Sequence, residues 1–195
     1  LMLGMLTTVC MAAVDPNFWQ DPSSLPVELE PLASSSLLLD VVRTDGRFVT
    51  VGERGHVLIS QNGQDWQQVA AVPTRSTLTA ITAVGNQLWA VGHDGIILHS
   101  HDAGEHWELQ RRDSTSLSEN VPDMTPSHQG KPLLGVLFLD ANIGFAVGAY
   151  SLFLRTEDGG QTWNEDSIVQ KDTILAKEDA KNKSNWTFTK QELKL

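Results

Sequence analysis

An all-β chain of repeated four-stranded units is predicted by three observations. The first is one turn written three times: Ser60-Gln61-Asn62-Gly63-Gln64-Asp65-Trp66, Ser100-His101-Asp102-Ala103-Gly104-Glu105-His106-Trp107 and Thr156-Glu157-Asp158-Gly159-Gly160-Gln161-Thr162-Trp163. The second is its spacing, 40 residues from Asn62 to Asp102 and 56 from Asp102 to Asp158. The third is the set of short apolar runs between these turns, each bounded by turn-forming residues. Four strands in about 40 residues is the period of a β-propeller blade. The expected fold is therefore a β-propeller of four-stranded antiparallel blades, with about three blades present and the ring incomplete.

The strands follow in order within each unit. Strand one is an opening apolar run: Leu37 to Val42, Leu78 to Ala83, Leu133 to Leu139. Strand two ends in Val51-Gly52, Val91-Gly92 or Val147-Gly148, with Val49, Trp89 or Phe145 three residues before the glycine. Strand three ends in the Ser or Thr of the repeated turn. Strand four starts at or beside the Trp. Unbroken apolar runs in strands this short imply burial on both faces. The units span 37–72, 77–112 and 132–168. The 16 extra residues of the longer period fall between Gln110 and Lys131, in a Ser/Thr/Pro-rich insertion of the kind that is either functional or disordered.

The repeated turn has a physical basis. A Ser or Thr hydroxyl and an Asp or Asn side chain accept hydrogen bonds from backbone N–H groups in a tight turn. Glycine supplies φ > 0 without steric cost, and the Trp offers a broad apolar surface to fill the gap between blades. The residues assigned to this structural role are Ser60, Asn62, Gly63, Trp66; Ser100, Asp102, Gly104, Trp107; and Thr156, Asp158, Gly160, Trp163.

These turns resemble the Asp-box, or BNR repeat; the first is one residue short and carries Asn62 for Asp. With Gly52…Gly55 and Gly92…Gly95 upstream, the wider unit resembles the photosystem II stability/assembly-factor type of propeller. Ser151 replaces the second glycine in the third unit. The resemblance covers roughly residues 26 to 166 and suggests a non-photosynthetic bacterial member. It implies a non-enzymatic scaffold that meets a membrane-protein partner through an arginine-bearing face, with Arg54 in the matching turn.

A meander places alternate turns at opposite ends. The Val-Gly turns therefore share one end with the connections between blades. That end is expected to carry Glu53, Arg54, His93, Asp94 and Tyr150, together with Arg75, Arg111 and Arg112: four of the seven arginines. Arginine suits interface ion pairs; the competing reading pairs these arginines locally with Glu53, Asp94 or Asp113. The partner expected is protein, a membrane-protein complex of the envelope. Self-association is a further expectation from the incomplete ring. No cofactor or metal is expected. His99, His101 and His106 offer three imidazoles to a zinc ion, but solvated turn histidines are preferred. A carbohydrate-binding propeller and a sialidase-like hydrolase using Tyr150, Glu53 and Asp94 are the rival functions; no catalytic residue is assigned.

The ends of the chain carry separate expectations. Residues 1–13 are uncharged and mostly apolar, and read as the remnant of a signal peptide with Cys10 and Ala12 near its cleavage site, implying a periplasmic or secreted protein. Residues 26–32 are expected to add an outer strand to an otherwise missing last blade, hence a truncated ring. Cys10 is the only cysteine, so disulfides are excluded. The net charge is −10; residues 1–170 hold 8 basic and 20 acidic residues, net −12, which argues against nucleic acid. The remainder, 171–195, is Lys-rich, holds 6 basic and 4 acidic residues, net +2, and is read as disordered or as a short helix or strand.

Overall fold

A computed structural model describes residues 21–113 and 130–166. The expectations for the leader, the centre of the insertion and the Lys-rich tail lie outside these residues. The described chain is all-β: three four-stranded antiparallel sheets, each a simple meander. The first blade holds β1 (Leu38–Thr44), β2 (Arg47–Gly52), β3 (Val57–Ser60) and β4 (Gln67–Gln68). The second holds β5 (Leu78–Val84), β6 (Gln87–Gly92), β7 (Ile97–Ser100) and β8 (Glu108–Arg111). The third holds β9 (Leu133–Phe138), β10 (Gly144–Gly148), β11 (Phe153–Thr156) and β12 (Asn164–Glu165).

Register repeats from blade to blade. Val51, Val91 and Val147 pair with Val57, Ile97 and Phe153. Val49, Trp89 and Phe145 pair with Ile59, His99 and Arg155. These side chains form one face of each sheet, here called the front. In blades one and two the front is closed by the back of the next blade. One core joins Val49, Val51 and Val57 to Leu88, Ala90, Leu98 and Trp107. The second joins Ala80, Val91 and Ile97 to Ala146, Leu152 and Leu154, with Trp163 packed against it. Trp107 and Trp163, from the second and third repeated turns, thus pack in the gaps between blades, whereas Trp66 of the first turn is half-buried and joins neither core.

Polar ties cross the same gaps. The Ile81 N–H donates to Asp40 Oδ2 at 2.9 Å and the Thr79 hydroxyl to the Leu133 carbonyl at 2.7 Å. The Thr44 hydroxyl donates to the Gly85 carbonyl. Each tie satisfies a polar group on an inner strand while fixing the angle between blades.

The glycine of each Val-Gly pair is required by crowding. A Cβ on Gly52, Gly92 or Gly148 would lie 2.1, 2.1 and 2.3 Å from the carbonyl oxygens of Leu37, Thr77 and Pro132, where the chain enters the blade. The following N–H groups, of Glu53, His93 and Ala149, donate to those same carbonyls. Backbone thus packs on backbone at one end of every blade.

The outer strand expected at 26–32 is not formed. Pro26 and Pro31 remove ladder donors. The segment instead runs beside β4 and is held by side chains as well as backbone. The Val27 N–H donates to the Val72 carbonyl at 2.8 Å, the Glu30 N–H to Gln68 Oε1, and Gln68 Nε2 to the Glu28 carbonyl.

Candidate functional site

The two ends of the blades differ in chemistry. At one end the repeated turns are closed networks. The Gly104 N–H donates to Ser100 Oγ at 2.9 Å and the His106 N–H to Asp102 Oδ1 at 2.9 Å. In the third turn the Gly160 N–H donates to Thr156 Oγ1 and the Thr162 N–H to Asp158 Oδ1, both at 2.9 Å. In the shorter first turn Asn62 Oδ1 accepts from the N–H groups of Gln64 and Asp65. Partial burial works to raise the Asp102 carboxyl, yet the His106 N–H and ring and the Ser100 hydroxyl bring it down to about 2. The Thr162 hydroxyl and N–H bring Asp158 to about 2. These carboxylates already accept bonds from their own turn, which is an architectural role.

The histidines do not assemble as a triad. His99 is 5% exposed and stacks on Trp89 with ring centroids 4.7 Å apart. Burial, with His101 alongside, lowers it to about 4. This corrects the reading of His99 as solvated: it sits on the strand face that blade three covers. His106 turns away to Asp102, its Nδ1 2.6 Å from Oδ2. Among the described residues, the group with metal-ligand spacing is Asp102, Glu105 and His106, all exposed or nearly so.

At the opposite end, each Val-Gly turn is tight and left-handed at its centre. Arg54, Asp94 and Tyr150 have φ of 55°, 57° and 57°. In the third blade Ser151 occupies the glycine's place with φ 58°. Tyr150 is 81% exposed. Asp94 accepts from the Ser76 hydroxyl at 2.6 Å, and Glu53 Oε1 accepts from the Leu37 N–H at 3.0 Å. Glu53, Asp94 and Tyr150 sit on three different blades, and both carboxylates serve neighbouring loops. His93 is exposed beside them.

The arginines gather around the short turn Pro22–Ser24. Arg54 and Arg75 line one cavity of about 320 Å³ with Pro22, Glu28, Glu30 and His56. Arg54 Nη1 lies 2.8 Å from Glu30 Oε1, and Arg75 Nη1 2.7 Å from Glu28 Oε1. Arg75 Nε also donates to the Pro26 carbonyl, and Arg112 Nη1 to the Ser23 carbonyl at 3.4 Å. Arg111 is committed to its turn, with Nη2 2.6 Å from Asp113 Oδ1 and Nη1 donating to the Gly95 carbonyl. Local pairing therefore occurs, chiefly with Glu28 and Glu30. These two partners escape sequence reasoning because they lie in the segment read as a strand of another blade. His56 also escapes it: wholly buried on the cavity wall, with neither ring nitrogen hydrogen-bonded.

A family model described as photosynthesis system II assembly factor YCF48 matches residues 19–127, 109 of the 195 residues. The chain belongs to this family. Two solved structures share the fold. YCF48 bound to D1 peptide is 20% identical with a TM-score of 0.54, over 80% of this chain and 47% of that one. YCF48 from Cyanidioschyzon merolae is 24% identical with a TM-score of 0.53, over 78% of this chain and 42% of that one. The chain thus spans less than half the length of either structure. No curated protein matches it.

Proposed function

We propose that this chain is a protein-binding scaffold of the assembly-factor type, without chemistry of its own, that meets its partner through the Val-Gly-turn end. The observation that carries this reading is the family membership, joined to four arginines placed on that end. A family member bound to a D1 peptide supports protein as the ligand class. The partner proposed is a membrane-protein complex of the envelope, and the compartment periplasmic or extracellular.

The local pairs suit such a role. The Arg54 side chain is 66% exposed, so its ion pair with Glu30 is a surface pair. Such pairs contribute about 0–1 kcal/mol, and a partner's carboxylate can displace one at little cost. Arg112 is exposed as well, whereas Arg111 holds its own turn. Contact is therefore assigned to Arg54, Arg75 and Arg112, with Arg111 as a support. The hydrolase reading loses ground because Glu53 and Asp94 already accept bonds from neighbouring loops.

The test is capture of envelope proteins on the immobilised chain beside an Arg54→Glu/Arg112→Glu version. Loss of one defined membrane complex from the variant, with folding unchanged, is expected. Equal retention by both would remove the arginines from the interface.

A further inference from the structure

Two of the arginines at the Val-Gly-turn end already hold a ligand, and the chain itself supplies it. Residues 26–32 form neither helix nor strand. Their alternate members meet the guanidinium groups. The Pro26 carbonyl accepts from Arg75 Nε at 2.8 Å, Glu28 Oε1 lies 2.7 Å from Arg75 Nη1, and Glu30 Oε1 lies 2.8 Å from Arg54 Nη1. Leu29, between the two glutamates, is 65% exposed. This is the alternation of an extended peptide laid along a surface, one row of side chains in and one out. An acidic peptide from another protein would offer the same carboxylates, two residues apart.

The internal peptide is lightly held. Its Val27 N–H donates to the Val72 carbonyl, and one side chain, Gln68, serves both the Glu30 N–H and the Glu28 carbonyl. The Arg54 and Glu28 side chains are 66% and 64% exposed, so both ion pairs are surface pairs that contribute little. The seat is also under-filled. A cavity of about 320 Å³ remains between Glu28, Glu30 and the two arginines. On its wall His56 is wholly buried with neither ring nitrogen hydrogen-bonded. The equivalent positions in the other blades, whose carbonyls likewise accept from the Val-Gly glycine, are the buried apolar residues Ile96 and Leu152. A buried polar group without a partner is costly, and the repeat shows that the fold does not require one here.

We propose that residues 26–32 are an internal occupant of a seat for an acidic segment of a partner protein, with carboxylates two residues apart. The partner binds by displacing them from Arg54 and Arg75. An incoming segment repeats the two ion pairs and gains what the internal one leaves unused, the cavity and the His56 imidazole. The tether holds the internal occupant at high local concentration. Apparent affinity for an external segment is therefore lowered by the fraction of chains whose seat is open. The inference rests on the reading of the arginine-bearing end as the protein-binding one, and adds how that end is kept closed in the free chain.

The probe is a fluorescent synthetic peptide with the sequence of residues 25–32, titrated into the full chain and followed by anisotropy. Glu28→Gln/Glu30→Gln should bind it about tenfold more tightly than the parent, because the seat is open. Adding Arg54→Glu/Arg75→Glu to that variant should abolish binding. Asp45→Asn/Glu108→Gln removes the same charge at the repeated-turn end and should change affinity less than about twofold, since distant charges are screened. In the parent, saturating peptide should speed hydrogen exchange at the Val27 and Glu30 amides, which lose their acceptors. Equal affinity in parent and Gln variant, binding by neither, an equal gain in the charge control, or unchanged exchange would each overturn the proposal. Capture of an envelope complex that depends on Arg54 and Arg112, together with equal peptide affinities, would keep the protein-binding reading and remove the internal occupant.

Discussion

At the residue scale, Asp102 and Asp158 separate structure from chemistry in the repeated turn. Both carboxyls are held at about 2, below their ordinary 3.8. A depressed folded-state value contributes stability that is complete above the unfolded value and lost as pH falls through the folded one. The urea midpoint should therefore drop between about pH 4 and pH 2. Asp102→Asn with Asp158→Asn should flatten that drop while keeping the fold, because Asn62 already makes the equivalent acceptor bonds. An unchanged acid limb would show that the carboxylates are unperturbed. His99 adds a second window. It is buried and held at about 4 against an ordinary 6.5, so the unfolded chain binds the extra proton. Stability should be complete above pH 6.5 and fall as pH is lowered to 4. His99→Phe keeps the stack on Trp89 and should remove that slope in chemical denaturation. An identical slope would place the titration elsewhere. The sequence shows His99 on a strand but not its burial, since that burial comes from a neighbouring blade.

At the element scale, the blade is a unit of strand pairing and backbone crowding. Gly92→Ala would place a Cβ 2.1 Å from the Thr77 carbonyl oxygen, a backbone atom that cannot move without the strand. It should cost about 3 kcal/mol, at the upper end of overpacking effects. Gly46→Ala meets nothing within 4 Å and bears only the strain of φ +83°, roughly 1–2 kcal/mol. Equal midpoint shifts in thermal or urea unfolding would refute this crowding account. Trp107, 6% exposed, donates from Nε1 to the Gly104 carbonyl at 2.9 Å and belongs to the core between blades one and two. Trp107→Ala should cost roughly 3–5 kcal/mol, read from the same experiment. Strand order and the ends of the second and third strands were legible because they recur at fixed spacing; the shared tryptophan position did not fix burial, since Trp107 is 6% exposed while Trp66 is only half-buried. The segment 26–32 was misread because Val27-Glu28-Leu29-Glu30 alternates like a strand. Flanking prolines and the Gln68 side chain decide its conformation instead.

At the scale of the whole molecule, the meander sorts chemistry to two ends. One holds saturated turn networks; the other holds Arg54, Arg75 and Arg112 around Pro22–Ser24. The sequence placed these arginines at a common end through strand order alone. It gave no sign of the cavity, because Glu28, Glu30 and His56 reach it from the first segment and the first blade. Nor could it show which arginine is committed to its own turn, a matter of the Asp113 contact. The central claim is that the arginine-bearing end, and not the repeated-turn end, contacts protein. The most direct measurement is retention of the captured envelope complex by two charge reversals at opposite ends. One is Arg54→Glu/Arg112→Glu. The other is Arg47→Glu, at a site where the guanidinium lies 2.8 Å from Glu105 beside the second repeated turn. The account predicts loss with the first and full retention with the second; loss only with Arg47→Glu, or equal retention by both, would contradict it.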